Sequence, residues 1–154
     1  MTWNAHQPRG EVLRQVSAVA DARRDGLLPL DVEGVEARFV DELDLLGALQ
    51  LRWYTRLSGQ IDRTLADQPL DLERAVVTAW RTTAAQLPGI RAIVDHYRES
   101  PLDDSMARAM AVATHKEHAW LAVMAGQAGI DDPAGADVGA RIEDRARARH
   151  RLAA

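Results

Sequence analysis

The sequence predicts an all-α protein, and three observations lead to this prediction. Apolar residues recur every three or four positions along almost the whole chain, which places them on one face of a helix. No segment alternates polar and apolar residues over the length of a strand. Ala and Leu, both good helix formers, are available to fill the core, whereas Phe occurs once. We expect an up-down bundle of four main helices plus a short C-terminal helix, with the second helix long.

Length and composition bound the domain organisation. The 154 residues predict a single helical-bundle domain over 1–154, with 1–8 and 150–154 flexible. A domain of this size buries roughly two-thirds of its unfolded surface, so it needs no metal or disulfide to fold. The absence of cysteine excludes thiol catalysis and thiolate metal sites, and it fits a cytoplasmic location. No apolar run approaches the ~20 residues that cross a bilayer, so we expect no membrane span.

The first two predicted helices cover about residues 9–25 and 35–66. The main apolar stripe of the second helix consists of Val35, Phe39, Leu43, Leu46, Trp53, Leu57 and Ile61. A second apolar set lies on other faces of its first half and consists of Val40, Leu45, Leu51 and Tyr54. We therefore expect this helix to be covered on more than one side. Gly47 within it either costs about 1 kcal/mol or permits a close helix contact.

The third predicted helix covers about residues 71–98 and is interrupted by Pro88-Gly89. Its apolar stripe consists of Val76, Trp80, Thr83, Leu87, Ile90, Val94 and Tyr97. Proline removes one backbone hydrogen bond and kinks or breaks a helix. Because the stripe keeps its phase across the proline, a kink is favoured over a loop.

The last two predicted helices cover about residues 101–128 and 137–151. The stripe of the fourth helix consists of Leu102, Met106, Met110, Ala113, Trp120 and Met124. The last helix is thinly apolar, with Val138, Ile142 and Leu152 as its apolar positions. Short connections between the third and fourth helices predict that these two are antiparallel.

Polar residues within the apolar stripes are the candidates for a buried site. Glu117 falls between Met110 and Met124 on its helix, and Glu42 falls near Leu46. Gln50 and Thr83 lie in similar places. A carboxylate in a bundle core is unfavourable unless it is paired or hydrogen-bonded. These four residues therefore either bind a metal or small ligand, or reach the rim and bond across the bundle.

Two histidines are the remaining metal candidates. His115 and His118 are one turn apart, so they share a helix face. That face points away from the apolar stripe, which favours surface histidines or an interface with a second chain. A ferritin-like di-iron site requires Glu-x-x-His pairs, and the sequence contains none.

The charge distribution offers one basic cluster, near the C-terminus. The net charge is −4, which gives no electrostatic reason for binding nucleic acid. The cluster consists of Arg141, Arg145, Arg147, Arg149, His150 and Arg151. Two acidic residues, Glu143 and Asp144, dilute it, and aromatic residues are not interleaved with it. We do not expect nucleic acid to be the partner.

These observations favour a non-catalytic helical-bundle protein that acts through self-association or protein–protein contacts. Apolar surface on more than one face of the second helix and the four Trp residues suit an interface. A homodimer without a cofactor is the simplest form. The alternative is a four-helix bundle of ferritin-like architecture with an interior site for a divalent metal or small ligand around Glu42 and Glu117, which would allow an enzyme.

Overall fold

A computed structural model of the chain describes the backbone of residues 7–153 and the side chains of residues 7–148. This part of the chain forms seven helices and no strand. The helices are α1 (Arg9–Arg23), α2 (Val35–Arg38), α3 (Glu42–Asp67), α4 (Leu72–Gln86), α5 (Pro88–Glu99), α6 (Asp104–Met124) and α7 (Gly135–Ala153). The all-α class is confirmed. Of the ends expected to be flexible, residues 1–6 and 154 lie outside the described residues, whereas the backbone of 150–153 belongs to α7.

Internal contacts divide the chain into two compact units. Unit 1 comprises residues 1–54 and 87–107, and unit 2 comprises residues 55–86 and 108–154. Helices α3 and α6 therefore contribute residues to both units. The assignment of the whole chain to one domain stays a prediction.

The helix predicted over 35–66 is divided near its start, which corrects that prediction. Phe39 has extended backbone (φ −124°, ψ 133°) and ends α2. The Asp41 carboxylate then accepts the N–H of Asp44 at 2.8 Å, and the Asp44 carboxylate accepts the N–H of Val40 at 2.9 Å. Such reciprocal bonds satisfy donors that a helix start leaves open. They fix Glu42 as the first residue of α3.

The helix predicted over 71–98 is likewise two helices rather than one kinked helix. Leu87 leaves helical geometry (φ −125°, ψ 56°), and Pro88 occupies the first turn of α5. This position suits proline, because the first helical residues have no partner for an N–H. No loop intervenes, and all seven residues of the predicted stripe are buried.

Unit 1 is built on a close contact between α1 and α5. A Cβ atom at Gly89 would overlap the backbone of Ala20 and Asp21, so only glycine permits this approach. The N–H of Gly89 donates to the Asp21 carboxylate at 2.9 Å. Asp21 thus supplies the cap that Leu87, the residue before α5, does not provide with its own side chain.

Unit 2 contains a comparable contact between α6 and α7. A Cβ atom at Gly139 would overlap the backbone of His118. Ile142 and Ala146 of α7 are fully buried, and Arg81 of α4 donates from Nε to the Ala146 carbonyl at 3.1 Å. Helix α7 has 19 residues and covers the C-terminal helix predicted over 137–151, extending two residues beyond it at each end.

The buried face of α6 differs from the predicted stripe in two places. Met106 and Met110 are buried as predicted, but Leu102 precedes the helix and is exposed. In the last turns of α6 and just beyond, the buried residues are Leu121, Ala122 and Ala125, whereas Ala113, Trp120 and Met124 are half-buried. Large apolar residues on several faces made the stripe ambiguous there.

Among the described residues, no helix is both long enough and apolar enough to cross a membrane. The expectation of no membrane span agrees with this finding.

Replacing Gly89 with alanine tests the α1–α5 contact. We expect Gly89→Ala to destabilise the protein by about 3 kcal/mol, because a methyl group must displace backbone rather than a flexible side chain. The midpoint of thermal unfolding should fall by roughly 10 °C, as measured by circular dichroism.

The matched control is Gly59→Ala in α3, where a Cβ atom would approach only the end of the Arg63 side chain, at 3.9 Å. This change should stabilise the helix by about 0.5–1 kcal/mol. Equal effects of the two substitutions would contradict the close contact.

Candidate functional site

Helices α1 and α3 border an open groove on the surface of unit 1. Its volume is about 500 Å³. The lining residues are Arg9, Gly10, Leu13, Leu43, Asp44, Gly47, Ala48 and Leu51. Apart from Arg9 and Asp44 at one end, this lining consists of apolar residues and glycines. The groove can therefore accept an apolar surface more readily than a polar small molecule.

The apolar lining continues onto an exposed face of α3. We use the term α3 face for Leu43, Gly47, Leu51 and Tyr54 of α3 together with Val40, which lies two residues before the helix. Val40 is 92% exposed, Leu51 65% and Tyr54 42%, and Leu43 is half-buried. Three members of the second apolar set in this region of the chain are thus left uncovered.

Only the fourth member of that set, Leu45, is fully buried. The expectation that α3 is covered on more than one side therefore holds for Leu45 but not for Val40, Leu51 or Tyr54. Val40 and Leu51 are therefore mostly open to water, whereas Tyr54 is about half covered.

Two glycines keep the groove shallow and open. No atom outside the local helix backbone lies within 4 Å of the place where a Cβ atom would stand at Gly10 or at Gly47. Neither glycine is needed to accommodate a neighbouring helix of the chain, which contrasts with Gly89. A glycine with open space above it allows the backbone of an incoming segment to approach closely.

Arg9 closes one end of the groove. Its guanidinium donates to both oxygens of the Asp44 carboxylate, at 3.1 and 3.2 Å, and to the Arg38 carbonyl at 2.8 Å. It also lies 4.3 Å from the centroid of the Phe39 ring. The hydrogen bonds from Arg9, followed by the one from the Val40 N–H, lower the pKa of Asp44. The carboxylate therefore stays charged at neutral pH.

The sequence-predicted site residues of unit 1 are Glu42 and Gln50. Glu42 is the first residue of α3, and both side chains are half-buried. Gln50 borders the α3 face rather than the core, because it lies three residues after Gly47. The alternative hypothesis of a metal or ligand site around Glu42 and Glu117 stays a prediction.

The other predicted site residues belong to unit 2. Thr83 is fully buried, and its hydroxyl donates to the Ala79 carbonyl at 2.8 Å. This bond satisfies the hydroxyl within its own helix. On α6, Glu117 is half-buried and His115 is exposed. Nε2 of His118 lies 3.4 Å from Oε1 of Glu143.

Glu143 is the polar residue that sequence reasoning did not identify as a site candidate. It is buried, and it accepts a hydrogen bond from Nε of Arg147 at 3.2 Å in addition to facing His118. The Arg147 guanidinium lies 4.8 Å from the centroid of the Trp80 ring. The i,i+4 spacing of Glu143 and Arg147 was the available signal, but the partner on α6 is remote in sequence.

A second groove in unit 2, of about 470 Å³, is mainly charged. Its lining residues are Asp71, Glu73, Arg74, Val77, Arg81, Arg145 and Ala148. Arg145 pairs with Glu73, so opposite charges within the groove already neutralise each other. In the basic cluster, Arg145 and Arg147 are thus engaged within unit 2, Arg141 is exposed, and the side chains of 149–151 lie outside the described residues.

The described residues contain no group of three or more His, Asp or Glu side chains that could hold a metal ion. The pairing of His118 with Glu143 brings together two potential ligands, and His115 does not join them.

No protein-family model matches the chain, and no curated protein or solved structure matches it either. A functional proposal therefore rests on this chain's own residues and their arrangement.

Removal of the Arg9 guanidinium tests the closed end of the groove. In Arg9→Gln, the pKa of Asp44 should rise towards its usual value, because the strongest hydrogen bonds to the charged carboxylate are lost. A lowered pKa in the folded state means that Asp44 stabilises the fold above its unfolded pKa. This contribution disappears as the pH falls through the folded pKa.

The measurement is an NMR titration of the carboxyl carbon of Asp44. Arg14→Gln is the matched control, because Arg14 lies on the same helix but pairs with Glu11. It should leave the pKa of Asp44 unchanged. An Asp44 titration that responds equally to both substitutions would argue against the specific Arg9 contact.

Proposed function

We propose that this chain is a non-catalytic helical protein that acts through self-association, with the α3 face and the adjoining groove as its contact surface. The observation that carries the proposal is the exposure of Val40, Leu51 and Tyr54 beside an open apolar groove. Apolar patches of this kind commonly mark interaction sites. A homodimer is the commonest form of self-association.

The energetics favour a dimer of modest affinity. Fully burying a Leu or Val side chain contributes about 1.5–3 kcal/mol, and these side chains are already partly buried. We estimate roughly 1 kcal/mol for each of the four apolar side chains in each copy. Gains of this size are too small for nanomolar affinity once the 4–15 kcal/mol that association costs in lost freedom is subtracted. The dimer is therefore tested at high micromolar concentration.

The same surface suits a different protein as an alternative partner, since a groove between helices can receive an amphipathic helix.

The up-down order of the main helices and a cytoplasmic location belong to this proposal as well. None of these features requires a cofactor.

A second hypothesis, which rests on the sequence pattern, places a divalent metal or small ligand around Glu42 and Glu117. It predicts near-stoichiometric metal in protein purified without chelators, as measured by elemental analysis. Changing both residues to glutamine should remove that metal, because an amide cannot supply the negative charge of a carboxylate. Two results together would exclude this hypothesis. The wild-type protein would contain no metal, and changing both glutamates to glutamine would cause no loss of a bound ligand.

Leu51→Glu tests self-association. We expect the wild-type chain to be dimeric at high micromolar concentration and Leu51→Glu to be monomeric. Placing a charge in an apolar contact costs roughly 2 kcal/mol in each copy, which weakens a two-fold dimer about a thousandfold. Sedimentation equilibrium over a concentration series measures this change.

Val112→Glu is the matched control, because Val112 is a helical residue of unit 2 with 54% exposure. It should leave the dimer intact. A strictly monomeric wild-type chain at high micromolar concentration, or equal dissociation by both substitutions, would overturn the proposal.

A further inference from the structure

We infer that the second copy docks on the α3 face in an antiparallel arrangement, with a two-fold axis passing through Gly47. This inference rests on the proposed self-association and specifies its partner and geometry. Its basis is the juxtaposition of a symmetric apolar pattern, an open glycine at its centre and complementary polar groups at its edge.

The apolar residues of the α3 face are spaced symmetrically about Gly47. Leu43 and Leu51 lie four residues before and after it, and Val40 and Tyr54 lie seven residues before and after it. On a helix, positions four and seven residues away stay within about 40° of the central residue. Val40 precedes the first residue of α3, so this helical spacing applies to Leu43, Leu51 and Tyr54 and not to Val40.

This symmetry matters because a two-fold interface uses the same patch on both copies, so residue i meets j and j meets i. In an antiparallel pair centred on Gly47, Leu43 of one copy meets Leu51 of the other. Leu43 and Leu51 of each copy thus gain an apolar partner without any further element.

Gly47 is suited to the centre of such a pair. It is exposed, and no atom outside its local helix backbone lies within 4 Å of its Cβ position. Small residues at a helix crossing let two backbones approach closely. Gly47 has no such role inside the chain, and a glycine in a helix interior costs about 1 kcal/mol relative to alanine.

Polar groups beside the face also favour the antiparallel direction. Asp44 and Gln50 lie three residues before and after Gly47, so the Gln50 amide of one copy would approach the Asp44 carboxylate of the other. That carboxylate accepts two bonds from Arg9 and one from Val40, and a carboxylate offers about four acceptor positions. A parallel pair would instead place the two Asp44 carboxylates together, which is unfavourable.

The absence of cysteine makes disulfide cross-linking a direct test. Leu43→Cys and Leu51→Cys are prepared as full chains of distinguishable mass, one of them carrying a tag, and are oxidised separately and as a mixture. Residues 43 and 51 each lie about 6 Å from the two-fold axis, measured along the helix. Identical residues of the two copies are therefore about 12 Å apart. A disulfide requires Cβ atoms about 3.5–4.5 Å apart.

We expect the mixture to form the 43–51 disulfide about tenfold faster than either variant forms a disulfide with itself. Gly47→Cys should cross-link with itself, because it lies on the axis. Val112→Cys measures cross-linking by random collision. Sedimentation equilibrium of the wild-type chain is run in parallel.

The outcomes separate the inference from the proposed function. A wild-type dimer in which Leu43→Cys and Leu51→Cys each cross-link with themselves would overturn the antiparallel arrangement but leave self-association standing. A dimer in which no variant exceeds Val112→Cys would place the interface elsewhere, which overturns the inference and the assignment of the α3 face but leaves self-association standing. A wild-type monomer at high micromolar concentration would overturn both.

Discussion

The close backbone contact between α1 and α5 is the constraint on which unit 1 depends. Pro88 begins α5 without an N–H, and the N–H of Gly89 is satisfied by Asp21 on α1. This bond forms only because Gly89 carries no side chain and lets the two backbones meet. The position of α1 then fixes Leu13, which forms one wall of the groove. The candidate contact surface thus depends on a glycine that is not part of it.

Glycine has two different roles in this chain. At Gly89 and Gly139, neighbouring backbone fills the space where a Cβ atom would stand. Packing within each unit therefore explains these two glycines. Gly10 and Gly47 have open space at their Cβ positions and border exposed apolar side chains. Packing within the chain does not account for this second pair. An external surface would give them a comparable role, which agrees with the exposure of the apolar side chains beside them.

Periodicity predicted the helices well and their interruptions poorly. All seven residues of the stripe around Trp80 are buried, although the helix is broken at Leu87. The start of α3 was missed because the reciprocal bonds of Asp41 and Asp44 compete locally with helix continuation. Glu143 was missed because its partner on α6 is distant in sequence. The exposed set of α3 was recognised as apolar, but periodicity does not indicate which apolar face a protein leaves uncovered.

The capping of α5 by Asp21 also affects how this protein exchanges amide hydrogens with solvent. First-turn amides normally exchange quickly, because they have no partner within their own helix. The Gly89 amide is held by a residue of another helix, so it exchanges only when α1 moves away from α5. Its exchange rate therefore reports the separation of two helices rather than the fraying of one, and it provides a local probe of opening in unit 1.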